Sequence, residues 1–338
     1  MAALRTALLA CALVLLPAGT ARADALLPPA GQRFAGVTAG DPGTFQAETG
    51  VHAPVVQHFV AWGSEGIDHV FRSAEGNRSR LMIHVSTQDG PGTREVITPR
   101  GIARGQGDRY LLFLNRRFAA AGRPGYIRLM SEMNGHWNAY SAFDASGRRR
   151  DAAHATRAFR QAWRRTVLVV RGGPVAALNR RLRRLGLPPL RTGAAELPRP
   201  PVAFLWVPQT AGSPNLAGNR PGAYWPGGAY VDWTGTDFYS RFPNFAGLDR
   251  FVARGPWRRK PFAFGEWALW GADDPGFVRR LFRWIGRHPR VRLVMYNQGS
   301  RPSGPFRLTR YPRATAELRR QLARPAFAPF APEWRPGG

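Results

Sequence analysis

The stretch Tyr126–Tyr140, YIRLMSEMNGHWNAY, decides how the rest of the chain is read. Tyr126, Ile127, Leu129 and Met130 are apolar and partly β-branched, the composition of a buried strand. The stretch then turns abruptly polar at Ser131, Glu132, Asn134, Gly135 and His136. An apolar strand ending in a carboxylate, an amide and a glycine suits the mouth of an α/β barrel, where loops at the C-terminal strand ends carry chemistry. Pro261–Trp267, PFAFGEW, repeats the form and ends on Glu266. Two strand-end carboxylates far apart in sequence predict one catalytic pair assembled by the fold.

Working outward, six further runs read as strands: Phe34–Ala39, Pro54–Trp62, Leu81–Val85, Val202–Val207, Tyr230–Phe238 and Arg292–Tyr296. Between them lie segments of helical spacing. Phe159, Trp163, Val167 and Val170 repeat at steps of three and four within Ala152–Val170. Phe277, Leu281 and Trp284 share a face behind the capping pair Asp274-Pro275. Eight strands alternating with helices predict a parallel sheet with right-handed crossovers. Polar groups recur at the strand ends, at Glu132, Gln209, Asp237, Tyr239, Glu266 and Asn297. That recurrence selects a (β/α)8 TIM barrel over an open sheet. Pro174–Pro201 reads as an insertion, and Pro208–Gly228 as a long loop of the kind that carries function.

The chain has 338 residues, enough for one barrel with a leader and insertions. Residues 1–23 read as a signal peptide: Arg5, an apolar run over Ala7–Leu16, and Ala21-Arg22-Ala23 as the cleavage site. The expected location is therefore extracellular. Residues 24–33 are expected to be a disordered entry, 34–323 the catalytic domain, and 324–338 a Pro-rich tail. Cys11 is the only cysteine and lies in the leader, so the exported chain relies on core burial rather than disulfides. No metal is expected, because the histidines lack a ligand spacing such as H-E-x-x-H. No other cofactor is expected either. His58 and His84 could reach the barrel mouth.

The net charge is +28, a field that attracts polyanions. Lys260 is the only lysine among 49 basic residues, and arginines such as Arg160, Arg164 and Arg165 sit on a helical segment. They read as a solvated helix face rather than a nucleic-acid surface. The expected partner is a polysaccharide, with no nucleic acid, no membrane contact beyond export, and a monomeric state.

Two carboxyls are what glycoside hydrolysis needs: one donates a proton to the leaving oxygen, and in retaining enzymes the other attacks the anomeric carbon. Aromatic residues beside the strand ends fit the same substrate, because sugar rings stack on indole and phenol faces. Trp137 and Trp225 are expected in the site, and Trp233, inside a strand, in the core.

These residues resemble glycoside hydrolase family 26, the β-mannanase family of retaining barrels. RLMSEMNGHW resembles its acid/base segment through Arg128, Glu132–Gly135 and Trp137. PGAYWPGGAYVDWTGTDFYS resembles its YPG…YVDW-x-G-x-D-x-Y segment, and PFAFGEW its nucleophile strand. The resemblance implies Glu132 as general acid and then base, Glu266 as nucleophile, and Tyr239 as donor to Glu266. It also implies Arg128 in the carboxylate network, with Trp137, Trp206, Trp225 and Asn134 as substrate-binding or supporting residues. The chain departs from the family at Ser131, where mannan-cleaving members usually carry His. It departs again at Gly228 in place of an Asp, and at Gln209 in place of Asn. The expected activity is retaining endo-β-glycosidic hydrolysis of β-1,4-mannan or a related β-glucan or xylan. The alternative is a non-catalytic binder of polysaccharide or acidic wall polymer on the same barrel.

Overall fold

A computed structural model describes residues 26–90 and 94–335. The expected signal peptide with its cleavage after Ala23 lies outside the described residues. Eight parallel strands form a closed barrel: β1 (Phe34–Thr38), β2 (Val55–Val60), β3 (Arg80–Val85), β4 (Gly125–Leu129), β5 (Val202–Trp206), β6 (Trp233–Tyr239), β7 (Phe262–Ala268) and β8 (Val291–Asn297). Each pairs with its sequence neighbour. β1 closes the ring on β8, from Phe34 opposite Leu293 to Thr38 opposite Asn297.

Strand alternation divides the core in two. Phe34, Val55, Met82, Tyr126, Leu205, Trp233 and Met295 fill the barrel interior. Phe204, Trp206, Phe262, Phe264 and their neighbours pack outward against the helices. Those helices are α1 (Pro42–Thr49), α2 (Asp68–Gly76), α3 (Pro99–Ala103), α4 (Asp108–Ala121), α5 (Thr156–Arg171), α6 (Val175–Arg184), α7 (Phe245–Ala253), α8 (Pro275–Arg287) and α9 (Pro312–Leu322). Phe159, Trp163, Val167 and Val170 of α5 are all buried, as their spacing requires. Asp274 caps α8, accepting a hydrogen bond from the Phe277 backbone N–H at 3.0 Å.

Helix α5 starts at Thr156 rather than Ala152. Asp151 accepts hydrogen bonds from the backbone N–H groups of Ala153 (2.8 Å) and His154 (3.2 Å), and this Asx turn competes with the first helical turn. The segment read as an insertion is a small unit of its own. Gly173–Pro174 pairs antiparallel with Glu196–Leu197, and this ribbon brackets α6.

Three other expectations are corrected. Residues 26–33 are ordered: Leu26 is buried, and its carbonyl accepts from the Tyr126 hydroxyl and the Arg80 guanidinium inside the barrel floor. The C-terminal segment is a docked element. Ala328 N–H bonds the Arg33 carbonyl at 2.9 Å, and Glu333 takes Arg80 in a two-pronged pair at 2.8 and 2.6 Å. Both segments stay because an open barrel floor would leave Arg80 and the lower interior layer wet. Third, the α5 arginines are not simply solvated. Arg165 is fully buried against Asp108, at 2.7 Å from Nε, while Arg164 donates to the Pro226 carbonyl at 2.7 Å and Arg160 to that of Ala223. They satisfy loop carbonyls that no secondary structure reaches.

Candidate active site

The inward-facing positions at the C-terminal ends of β4, β6, β7 and β8 converge on one guanidinium. Arg128, on β4, is buried and donates from Nη1 to Glu266 and from Nη2 to Asp237. Its charge satisfies two acids that the barrel removes from water.

Glu266 reaches this position through a bulge. Against β8, Val294 opposes Phe264 and Tyr296 opposes Trp267; against β6, Thr236 opposes Phe264 and Asp237 opposes Glu266. One extra residue in β7, at Gly265, re-aims the next side chain into the mouth. The glycine is required for space: a Cβ there would lie 2.8 Å from Arg128 Nε and 3.0 Å from Asp237 Oδ1. The other oxygen of Glu266 accepts from the Tyr239 hydroxyl at 2.5 Å and from Asn297 Nδ2 at 2.9 Å. Asn297 also donates to the Tyr239 oxygen at 3.0 Å. Burial, then the charge of Glu266, push the Tyr239 hydroxyl well above its ordinary pKa, so it remains a donor.

Glu132 sits just past β4 on strained backbone. Met130 and Glu132 both adopt left-handed conformations, with φ of 40° and 51°. Such residues cost on the order of 1–3 kcal/mol each and persist only where surrounding bonds hold them. Here Met130 N–H bonds the Val85 carbonyl at 2.8 Å and Glu132 N–H the Val207 carbonyl at 2.7 Å, to the strands on either side. The Tyr140 hydroxyl donates to the Ser131 carbonyl at 2.6 Å, and Asn138 Nδ2 to that of Glu132 at 3.0 Å. The outcome is a carboxyl pointing across the mouth.

Trp137 Nε1, at 2.8 Å, and the Gln209 side-chain amide donate to that carboxyl. Both favour the ionised form. Burial, and after it the charge of Glu266, favour the neutral form, and together they raise the pKa of Glu132 above the usual carboxylate range. Asp237 is raised well above its ordinary value, first by burial, although Arg128 pulls the other way.

Asn134 is fully buried and braces rather than faces the mouth. Its Nδ2 donates to the Gln209 carbonyl at 3.0 Å, and its Oδ1 accepts from Gln209 N–H at 2.8 Å. The long loop after β5 clasps the same segment: Ser213 N–H bonds the Asn134 carbonyl at 2.8 Å, and His136 N–H bonds the Ser213 carbonyl at 2.9 Å. The loop's role is to hold the turn that carries Glu132.

Arg128, Glu132, Trp137, Tyr239 and Glu266 are thus brought together, with Asn134 behind them. Trp206 and Trp225 are not, which corrects their expected place in the site. Ala203, Leu205 and Val207 point into the barrel, so alternation sends Trp206 outward, where it is fully buried. Trp225 packs edge-on against it at 4.9 Å, with Trp257 beside both. Sequence reading placed Asp237, Gln209 and Asn297 at strand ends but gave them no role. The usable signal was their parity with inward-facing residues: Asp237 with Trp233, Asn297 with Leu293 and Met295, and Gln209 with Leu205 and Val207. His84 also faces the mouth, its ring against Phe59 at 5.2 Å and its Nε2 without a partner among the described residues. Burial, helped by the Arg128 charge, keeps it neutral.

No protein-family model and no curated protein matches this sequence. Solved structures do. The modular endo-β-1,4-mannanase of Cellulomonas fimi superposes with a TM-score of 0.59 at 15% identity, covering 91% of this chain and 75% of that one. The YdhT protein of Bacillus subtilis gives 0.58 at 15% identity, covering 94% and 90%. The GH26 β-mannanase of Bacteroides ovatus, BoMan26A, gives 0.57 at 16% identity, covering 88% and 90%. Across nearly its whole described length, the chain has the (β/α)8 fold found in the glycoside hydrolase family 26 β-mannanases.

Proposed function

We propose that the protein is a secreted, retaining endo-β-glycosidase that cleaves a β-linked polysaccharide, β-1,4-mannan or a related β-glucan or xylan. The observation that carries this reading is the shared geometry: Arg128 binds Glu266 directly in the mouth into which Glu132 points, and burial there, followed by the charge of Glu266, raises the pKa of Glu132.

The roles follow from the environments. Glu266, held by Arg128, Tyr239 and Asn297, attacks the anomeric carbon as the glycosidic bond breaks. Glu132, kept protonated by burial and by its neighbour's charge, gives its proton to the leaving oxygen. A covalent glycosyl–enzyme results. Glu132, now ionised, takes a proton from water, whose oxygen attacks the anomeric carbon and releases Glu266. Trp137, 49% exposed, offers an indole platform while its N–H orients the acid. A second aromatic group, Phe242 at 64% exposure with Trp270 5.7 Å away, gives a longer chain a further stacking surface. The mannanase folds support a β-polysaccharide substrate. Ser131, in place of the resembled family's His, weighs against mannan as the sole choice.

The test is reducing-sugar release from a panel of β-mannan, β-glucan and xylan, with product anomers followed by NMR. Wild type is expected to cleave at least one glycan with retention, and Glu266→Ala to lose that activity while still binding the glycan. Inversion, or equal silence of both proteins on every glycan, would overturn the reading.

A further inference from the structure

The barrel floor carries a cationic trough unconnected with the mouth. A cavity of about 640 Å³ opens where β5, β6 and β7 begin, bounded by Arg171, Arg181, Arg199, Asp232 and Lys260. A second cavity, of about 350 Å³, continues it along α6 past Arg184 and Tyr230, and Arg171, Arg181 and Ala229 line both. The unit that walls it is the ribbon and helix inserted between α5 and β5.

The charges do not cancel inside it. Asp232 is the one acid of the lining, and Arg171 takes both its oxygens at 2.7 Å. Arg181 and Arg184 are exposed and have no ion pair among the described residues. Lys260, the only lysine of the chain, is half-buried, with its ammonium bonded at 2.9 Å to the Gly228 carbonyl. A half-buried ammonium with one carbonyl partner has further N–H donors to offer. The cations are strung along two contiguous cavities instead of converging on a point, which suits a chain of anions better than a single ion. The trough is recessed, which a flat bilayer cannot enter. Its aromatic, Tyr230, is partly buried against the core and has Arg164 over the ring at 5.6 Å, which disfavours nucleobase stacking there.

We propose that this trough binds an acidic polysaccharide, a linear chain bearing uronate carboxylates, on the side of the barrel opposite the catalytic mouth. The choice of a sugar polymer rests on the reading of the mouth as a polysaccharide hydrolase. The trough would hold the enzyme on a mixed matrix while the mouth works on its neutral component.

The experiment measures polygalacturonate binding by titration calorimetry, using full-length protein carrying Glu266→Ala so that turnover plays no part. Binding is expected to weaken steeply with salt. The double variant Arg181→Ser/Arg184→Ser should weaken it by about tenfold or more, and Lys260→Gln should weaken it as well, separately from the helix. Arg283→Ser/Arg287→Ser, the same charge change on α8, should leave it within about twofold. Equal losses in the two double variants, no binding by the parent, or tighter binding of a single-stranded oligonucleotide than of polygalacturonate each overturn the proposal. Failure of the hydrolase reading would show separately, as wild-type silence on the neutral glycan panel with this binding intact.

Discussion

At the scale of single residues, the site works by opposing forces on Glu132. Trp137 and Gln209 donate to its carboxylate, while burial and Glu266 oppose its charge. On the proposed mechanism Glu132 must carry its proton to act as the acid, so the alkaline limb of the pH profile is expected to fall as pH rises through this raised pKa. Gln209→Ala removes a donor that stabilises the ionised form. The limb should therefore move to higher pH, as read from kcat/KM against pH; a shift to lower pH would contradict the assigned balance. Gly265 is the other decisive residue. A methyl group there meets Arg128 and Asp237 at 2.8–3.0 Å, and both are fixed by their mutual ion pair. Gly265→Ala should keep the barrel's far-UV circular dichroism yet lower kcat by about 10²-fold, the effect of a displacement near 1 Å. Unchanged kcat would show that the bulge has slack.

At the scale of elements, the loops after β3 and β4 meet in a histidine clamp. His154 contacts Glu95 at 2.7 Å through Nε2 and Asp151 at 2.7 Å through Nδ1, and Glu95 also accepts from Thr87 at 2.9 Å. The Glu95 hydrogen bond is the main cause that raises the His154 pKa above its ordinary value, with partial burial opposing it. A raised folded-state pKa gives stability that is fully present below the unfolded value, near ~6.5, and lost as pH rises through the folded one. The loss of Tm on His154→Gln should thus be largest below pH ~6.5 and fade only as pH rises through the raised folded-state value. A loss that grows with pH would reverse the sign and exclude the clamp. Both loops border the mouth, so the same variant tests whether the clamp affects only stability.

At the scale of the whole molecule, residues 26–33 and 324–335 seal the barrel floor around Arg80. This guanidinium is buried, with Glu333 as its one carboxylate partner among the described residues. Removing one partner of a buried pair leaves an uncompensated charge, at a cost of about 3–5 kcal/mol. Glu333→Gln should lose stability toward the lower end of that range, because the glutamate keeps some exposure, as measured by urea denaturation. The double variant Arg80→Met/Glu333→Leu should recover most of it. If Glu333→Gln were neutral, the C-terminal segment would be a loose appendage and not a floor.

The sequence by itself determined the eight strands, their alternation with helices and the two carboxylates. Each of these is written in local periodicity or in an abrupt change from apolar to polar residues, as in YIRLMSEMNGHW and PFAFGEW. Asp274, Phe159 and Trp163 likewise behave as their spacing demands, because capping and helix faces are short-range physics. What lay beyond the sequence depends on which way a side chain points once the ring closes. Trp206 sits one residue from an inward position, and that single step of pleat turned an expected sugar platform into a core residue. Arg165 reads as a surface charge until Asp108, on a different helix, meets it. The floor formed by Leu26, Arg80 and Glu333, and the bulge at Gly265 that aims Glu266, arise from contacts between distant segments. Only tertiary structure decides them, because a burial or a charge pair between remote residues leaves no period in the chain.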